Sequence, residues 1–135
     1  MPRPTTVAVP HLVRVVRQSG WHADCGVAAL AMLCGVLYEE ALAAFADPIK
    51  VLSRGADWKD LRPAAARLVV ATKVKYRYDI TEDTGILHVS HPTKDEHLVF
   101  LWAGRVVDGN GELWSDPEVY LKHYGYVAKG LLVAA

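Results

Sequence analysis

Residues 19–35 read SGWHADCGVAALAMLCG, and the mounting of Cys25 in this stretch decides the rest. Up to Asp24 the stretch is polar and turn-prone; from Cys25 to Cys34 it is uncharged and built of small and apolar residues. The pattern predicts a helix over 25–34 with no charged face, and such a helix must be buried all round. Asp24 is expected at its N-cap, its carboxylate accepting from the first-turn amides. Gly35 is expected to close it at C′. A thiol at that start has two readings. It is a small buried hydrophobe, as cysteine often is. Or it is a nucleophile, because the positive helix end favours a thiolate and the first amides point toward an attacked carbonyl oxygen. Cys34, near the other end, has only the first reading.

Working outward, a second helix is expected over about Tyr38 to Ala46, stopping before Pro48. "GADWKDLRPAAARL" (55–68) predicts a third, capped by Asp57, with Leu61, Ala65 and Leu68 as its apolar stripe. After residue 68 the period changes to two. "TKVKYRYD" (72–79) alternates Lys73, Lys75 and Arg77 with Val74, Tyr76 and Tyr78, which suits an edge strand protected by charge. "GILHVS" (85–90), the two halves of "HLVFLWAGRVVD" (97–108) and "YGYVAKGLLVA" (124–134) predict further strands, and "VRVV" (13–16) a short one. Helices followed by antiparallel strands make an α+β domain. It is expected to span 1–135, with an arm over 1–17, a helical part over 18–68 and a sheet over 69–135.

Length and composition agree: 135 residues suit one domain, and 52% hydrophobic residues build a core without staples. Fifteen Lys+Arg balance fifteen Asp+Glu, so charge points neither to nucleic acid nor to an anionic membrane. Interleaved basic and tyrosine residues in 72–79 can bind RNA, but the zero net charge favours the edge-strand reading. No signal-like or membrane-spanning run is seen, so a soluble, cytoplasmic protein is expected. On one helix Cys25 and Cys34 would stand roughly 13 Å apart, too far for a disulfide. His22 with Cys25 makes half a zinc site, with no second half in view.

A nucleophilic cysteine needs a base, and the base an orienting group. The histidines are His11, His22, His88, His91, His97 and His123. His97 is the best placed, a polar residue opening the apolar strand "HLVFLW". If the turn is centred between Ala103 and Gly104, His97 faces Asn110 and Val99 faces Asp108, all on one side of the hairpin. Either Asp108 or Asn110 then reaches the ring. "DGNG" (108–111) is also ordinary turn chemistry.

Gln18, "DCGVAALAM" (24–32) and "EHLVFLWAGRVVD" (96–108) together resemble the papain-like cysteine peptidases, most closely the bacteriocin-processing, double-glycine leader peptidase-like family. The likeness covers about Gln18 to Asp108, with "GADWKDLRPAAARL" similar to the family's third helix. It implies a papain-like fold with the nucleophile helix against an antiparallel sheet. It assigns Cys25 as nucleophile, His97 as base, Asp108 as orienter and Gln18 to the oxyanion hole. It also implies hydrolysis of a peptide or isopeptide bond through an acyl-thioester, with a peptide or protein substrate and no metal or organic cofactor. Two departures stand out. Gln18 lies seven residues before Cys25, one more than the family pattern. Asp108 is followed by Gly109 rather than Pro, whereas Asp116 precedes Pro117, so Asp116 is a rival orienter. The membrane spans and ATPase of the family's transporter-linked members have no counterpart here, and a role in export is not implied. Trp21 and Trp102 are candidates to wall the cleft. Two other functions suit the same residues: a transglutaminase-like acyltransferase, in which an amine resolves the acyl-enzyme, and a non-catalytic binding module on a peptidase scaffold.

Overall fold

In the computed structural model the uncharged run forms α1 (Cys25–Cys34), and its residues 25–32 are buried on every side. The structure describes residues 5–6, 24–109 and 111–135. Gly35 closes the helix in the left-handed region at φ 68°. The N-cap differs from expectation. Asp24 sits at φ −84°, ψ 7°, outside the extended region from which a cap side chain reaches back, and its carboxylate makes no cap hydrogen bond. Instead its carbonyl accepts from the amides of Val27 and Ala28, and its carboxylate from the Tyr38 hydroxyl at 3.4 Å.

Three more helices follow: α2 (Tyr38–Ala44), α3 (Pro48–Arg54) and α4 (Trp58–Arg67). The unexpected one is α3. Pro48 does not merely end the preceding helix; it opens this one, with Asp47 accepting from the Lys50 amide. At α4 Asp57 caps as expected, accepting from the amides of Lys59 and Asp60 while the Asp60 side chain accepts from the Asp57 amide. Its buried face is Leu61, Ala64 and Ala65, with Leu68 packed partly buried beside them.

The strands are β1 (Thr5–Thr6), β2 (Thr72–Lys75), β3 (Gly85–His91), β4 (Lys94–Trp102), β5 (Arg105–Val107), β6 (Glu112–Trp114) and β7 (Val127–Ala134). They form an antiparallel sheet in the order β1-β6-β5-β4-β3-β7-β2. The charged strand β2 is indeed an edge, and Arg62 covers its Thr72 carbonyl at 3.0 Å. A fifth helix, α5 (Pro117–Tyr124), interrupts the part expected to be all sheet. Asp116 caps it and Pro117 is its first residue. The stretch "VRVV" and the rest of the N-terminal arm lie outside the described residues, apart from Thr5–Thr6 on the sheet edge.

Period two then sorts the sheet's side chains into two layers. Ile86, Leu98 and Leu132 pack with α1, α2 and α4. Their neighbours Leu87, Val99 and Leu131 point the other way, onto Trp114 and Tyr120 of the α5 side. The chain is thus α+β, with a sheet covered on both faces. Among the described residues no single helix is long and apolar enough to cross a membrane.

Candidate active site

The hairpin β4–β5 has the register expected from its turn: Trp102 faces Arg105, Leu101 faces Val106 and Phe100 faces Val107. Ala103 and Gly104 make the two-residue turn, both at positive φ (46° and 80°), as the twist of such a tight hairpin requires. Gly104 cannot be replaced freely, because a Cβ there would run into the Thr81 carbonyl. This register carries Asp108, just past β5, to the side of the sheet on which His97 lies.

The two meet. Nε2 of His97 is 3.3 Å from each carboxylate oxygen of Asp108. Both side chains are closed from water, 15% and 9% exposed. An ionised carboxylate only accepts, so Nε2 carries the proton and donates. The loop after β5 holds the acid in place, with the Asp108 amide donating to the Glu112 carbonyl and the Gly111 amide to the Asp108 carbonyl, each at 2.9 Å.

Cys25 acts on the same ring, its sulfur accepting from the imidazole and favouring its charge. Close packing brings it there. A Cβ on Gly26 would stand 2.9 Å from Ala56 Cβ and 3.2 Å from Leu98 Cδ1, so the first turn of α1 is pressed against the residue next to His97. Burial pulls the imidazole pKa down, but the Asp108 hydrogen bond and the Cys25 sulfur overcome it and push it up to about 9. At neutral pH the ring is an imidazolium between two groups that favour its charge.

Two aromatic residues unforeseen in the sequence complete the surroundings. The Tyr126 ring stacks on His97, centroids 6.0 Å apart. The Tyr120 hydroxyl donates to Asp108 Oδ2 at 3.1 Å. Their segment carried one readable signal, the "DP" at 116–117 that starts α5. Contact with residues far away along the chain leaves no mark in local spacing.

The other sequence candidates are elsewhere. Asp116 Oδ1 caps α5, accepting from the amides of Glu118 and Val119, while the carboxylate that meets His97 is that of Asp108. His88 pairs across the sheet with Leu98, one register position from His97 and therefore on the opposite face, where it meets Glu96 at 3.2 Å. His91 accepts from the Thr93 amide, and His123 packs on Trp114. Trp102 lies under Arg105 at the turn end of the hairpin, about 17 Å from His97 at ~3.4 Å per residue, and does not wall the site. Cys34 is half-buried, and burial raises its thiol to about 11. Gln18, Trp21, His11, His22 and Asn110 lie outside the described residues.

No protein-family model, curated protein or solved structure matches the chain. The chemistry of the site must therefore speak for itself. A thiol at a helix start, an imidazolium and a buried carboxylate in series can generate a thiolate, deliver it to an electrophile and return a proton.

Proposed function

We propose that this chain is a papain-like cysteine hydrolase that cleaves a peptide or isopeptide bond. One observation carries the proposal: His97 pairs with the Asp108 carboxylate, and the Cys25 sulfur favours the charge on the same ring. The Cys25 thiolate attacks the carbonyl carbon, and the oxygen takes the negative charge. The Cys25 amide at the helix start stabilises that oxyanion, the task the family resemblance also gives to Gln18. The C–N bond breaks as the imidazolium gives its proton to the leaving amine. An acyl-thioester remains on Cys25. Neutral His97 then takes a proton from water, whose oxygen attacks the thioester; the acid leaves and the thiolate–imidazolium pair is restored. Asp108 keeps the ring in one tautomer and supports its charge throughout.

The protein carries its own internal reference for the first test. Cys34 is held protonated by burial, with its pKa near 11. Cys25 should react with iodoacetamide far faster than Cys34 at neutral pH, read by mass spectrometry on the intact fold. Cys25→Ala should abolish turnover of any peptide or isopeptide substrate found for the wild type. Equal labelling of the two thiols, or turnover surviving in Cys25→Ala, would sink the proposal.

A further inference from the structure

Asp108 has to present its carboxylate squarely to His97, yet the terminal torsion of an aspartate is broad and sets no orientation by itself. Something outside the side chain must hold it. Tyr120 is completely buried, the fourth residue of a helix whose start is fixed by Asp116 and Pro117. Its ring is wedged among Trp114 at 5.7 Å, Tyr124 at 5.2 Å and Tyr126 at 5.9 Å. Its hydroxyl therefore has one place to be, and that place is 3.1 Å from Asp108 Oδ2.

We propose that Tyr120 is a positioning residue: from the closed core on the same face of the sheet, its hydroxyl locks Asp108 in the orientation that offers both oxygens to Nε2 of His97. The inference rests on the triad reading above and deepens it. Two physical effects follow from the contact. The first is geometric, since a carboxylate pinned at Oδ2 by an immobile donor cannot swing away from the ring. The second is electrostatic. A thiolate and a carboxylate around one imidazolium leave an excess negative charge in a closed space. A hydrogen bond to the carboxylate offsets part of the cost of burying it. The hydroxyl stays a donor at any working pH, because burial and the Asp108 charge raise its pKa well above the usual phenol value. The titratable groups facing this network are Cys25 from α1, Asp108 from the loop after β5, Tyr120 and Tyr124 from α5, and Tyr126 before β7. The Glu112 carboxylate accepts from the Tyr124 hydroxyl at 3.1 Å.

That last contact supplies the control. Tyr120→Phe and Tyr124→Phe each remove one hydroxyl from the same aromatic cluster, the first the donor to Asp108 Oδ2 and the second the donor to Glu112 Oε1. The experiment is an NMR titration of His97 in the full chain with labelled histidine, alongside Cys25→Ala. The wild-type ring should titrate far above 6.5. In Tyr120→Phe its pKa should fall by about one unit or more, a tenfold loss of proton affinity, because an unpinned carboxylate no longer stays on Nε2. Tyr124→Phe should leave it where it was. With a raised wild-type value, an unchanged or higher pKa in Tyr120→Phe overturns the positioning role and leaves the triad standing. Equal falls in both variants also overturn it, since they would report general loosening of the cluster. A wild-type ring at the ordinary histidine pKa that ignores Cys25→Ala overturns the triad itself, and this inference with it.

Discussion

His97 is where three residues distant in sequence exchange charge, and its protonation state sets the pH range in which the proposed reaction runs. Its ring holds a proton up to about pH 9, because Asp108 and the Cys25 sulfur outweigh burial. An imidazolium beside Cys25 favours the thiolate, as does the positive end of α1, so labelling of Cys25 should remain appreciable below neutral pH. Above pH 9 the ring loses the proton that the leaving amine needs, so turnover should decline there. His97→Ala removes both counter-charge and proton carrier, and the labelling profile should move to that of an ordinary thiol, near pH 8.5 or so. Superimposable iodoacetamide profiles for wild type and His97→Ala would mean that the ring does not sense the thiol. The acid is tested in the same way. Asp108→Ala should lower the rate by roughly two to four orders of magnitude, the scale seen when a ring-orienting carboxylate is lost. Asp116→Ala should act on stability instead, by about 1 kcal/mol for a lost cap. A larger rate loss in Asp116→Ala than in Asp108→Ala would reverse these assignments.

Elements show why some of this was readable from sequence and some was not. The run 25–34, the Asp57 cap and the Ala103–Gly104 turn are local signals, and local hydrogen bonding turns them directly into α1, α4 and the β4–β5 register. From that register follows the placing of Asp108 on the His97 side. Two helices went unseen for one shared reason. "ADPIK" (46–50) and "SDPEV" (115–119) each place Asp at an N-cap and Pro at the first helical position, whereas the sequence reading takes Pro48 as a stop and Asp116–Pro117 as a rival orienting motif. Missing α5 meant missing Tyr120. The three-residue β6 is too short to show a period. Asp24 misled in the opposite sense, being the right residue type for a cap but in the wrong backbone region. One helix end also keeps a strain that no pattern shows. After α4, Val69 adopts φ 65° while its amide donates to the Ala66 carbonyl and the Val70 amide to the Ala65 carbonyl. A β-branched residue pays about 1–2 kcal/mol in that region, and Val69 is 92% exposed, so it packs against little that would compensate. Val69→Gly should therefore raise stability by roughly 0.5–1 kcal/mol in urea unfolding, after the entropy that glycine costs is subtracted. A lower midpoint would mean that the Val69 side chain contributes contacts of its own.

At the scale of the whole molecule, the site is assembled from both layers that the sheet separates. Cys25 comes from α1, which packs with Ile86, Leu98 and Leu132. Asp108 is held by Tyr120, which packs with Leu87, Val99 and Leu101. His97 stands on the strand between them. The arrangement can persist only if the two layers behave as one body, and the sheet gives a reason why they should. β3 and β4 send alternate residues into each layer, so neither layer can come apart without exposing the back of the other's strands. Leu30 on the α1 side and Leu101 on the α5 side are both completely buried. Truncating either to alanine should cost about 2–5 kcal/mol, a large share of the roughly 5–15 kcal/mol that holds a domain of this kind. If the layers are coupled, each variant lowers one common transition. Far-UV CD, to which the helices contribute, and near-UV CD, to which the Trp114–Tyr120–Tyr124 cluster contributes, should then give coincident urea midpoints in both variants. Leu101→Ala shifting the near-UV midpoint while the far-UV midpoint stays in place would show two layers melting separately. A nucleophile from one and an acid from the other would then share a site only as long as both happened to be folded.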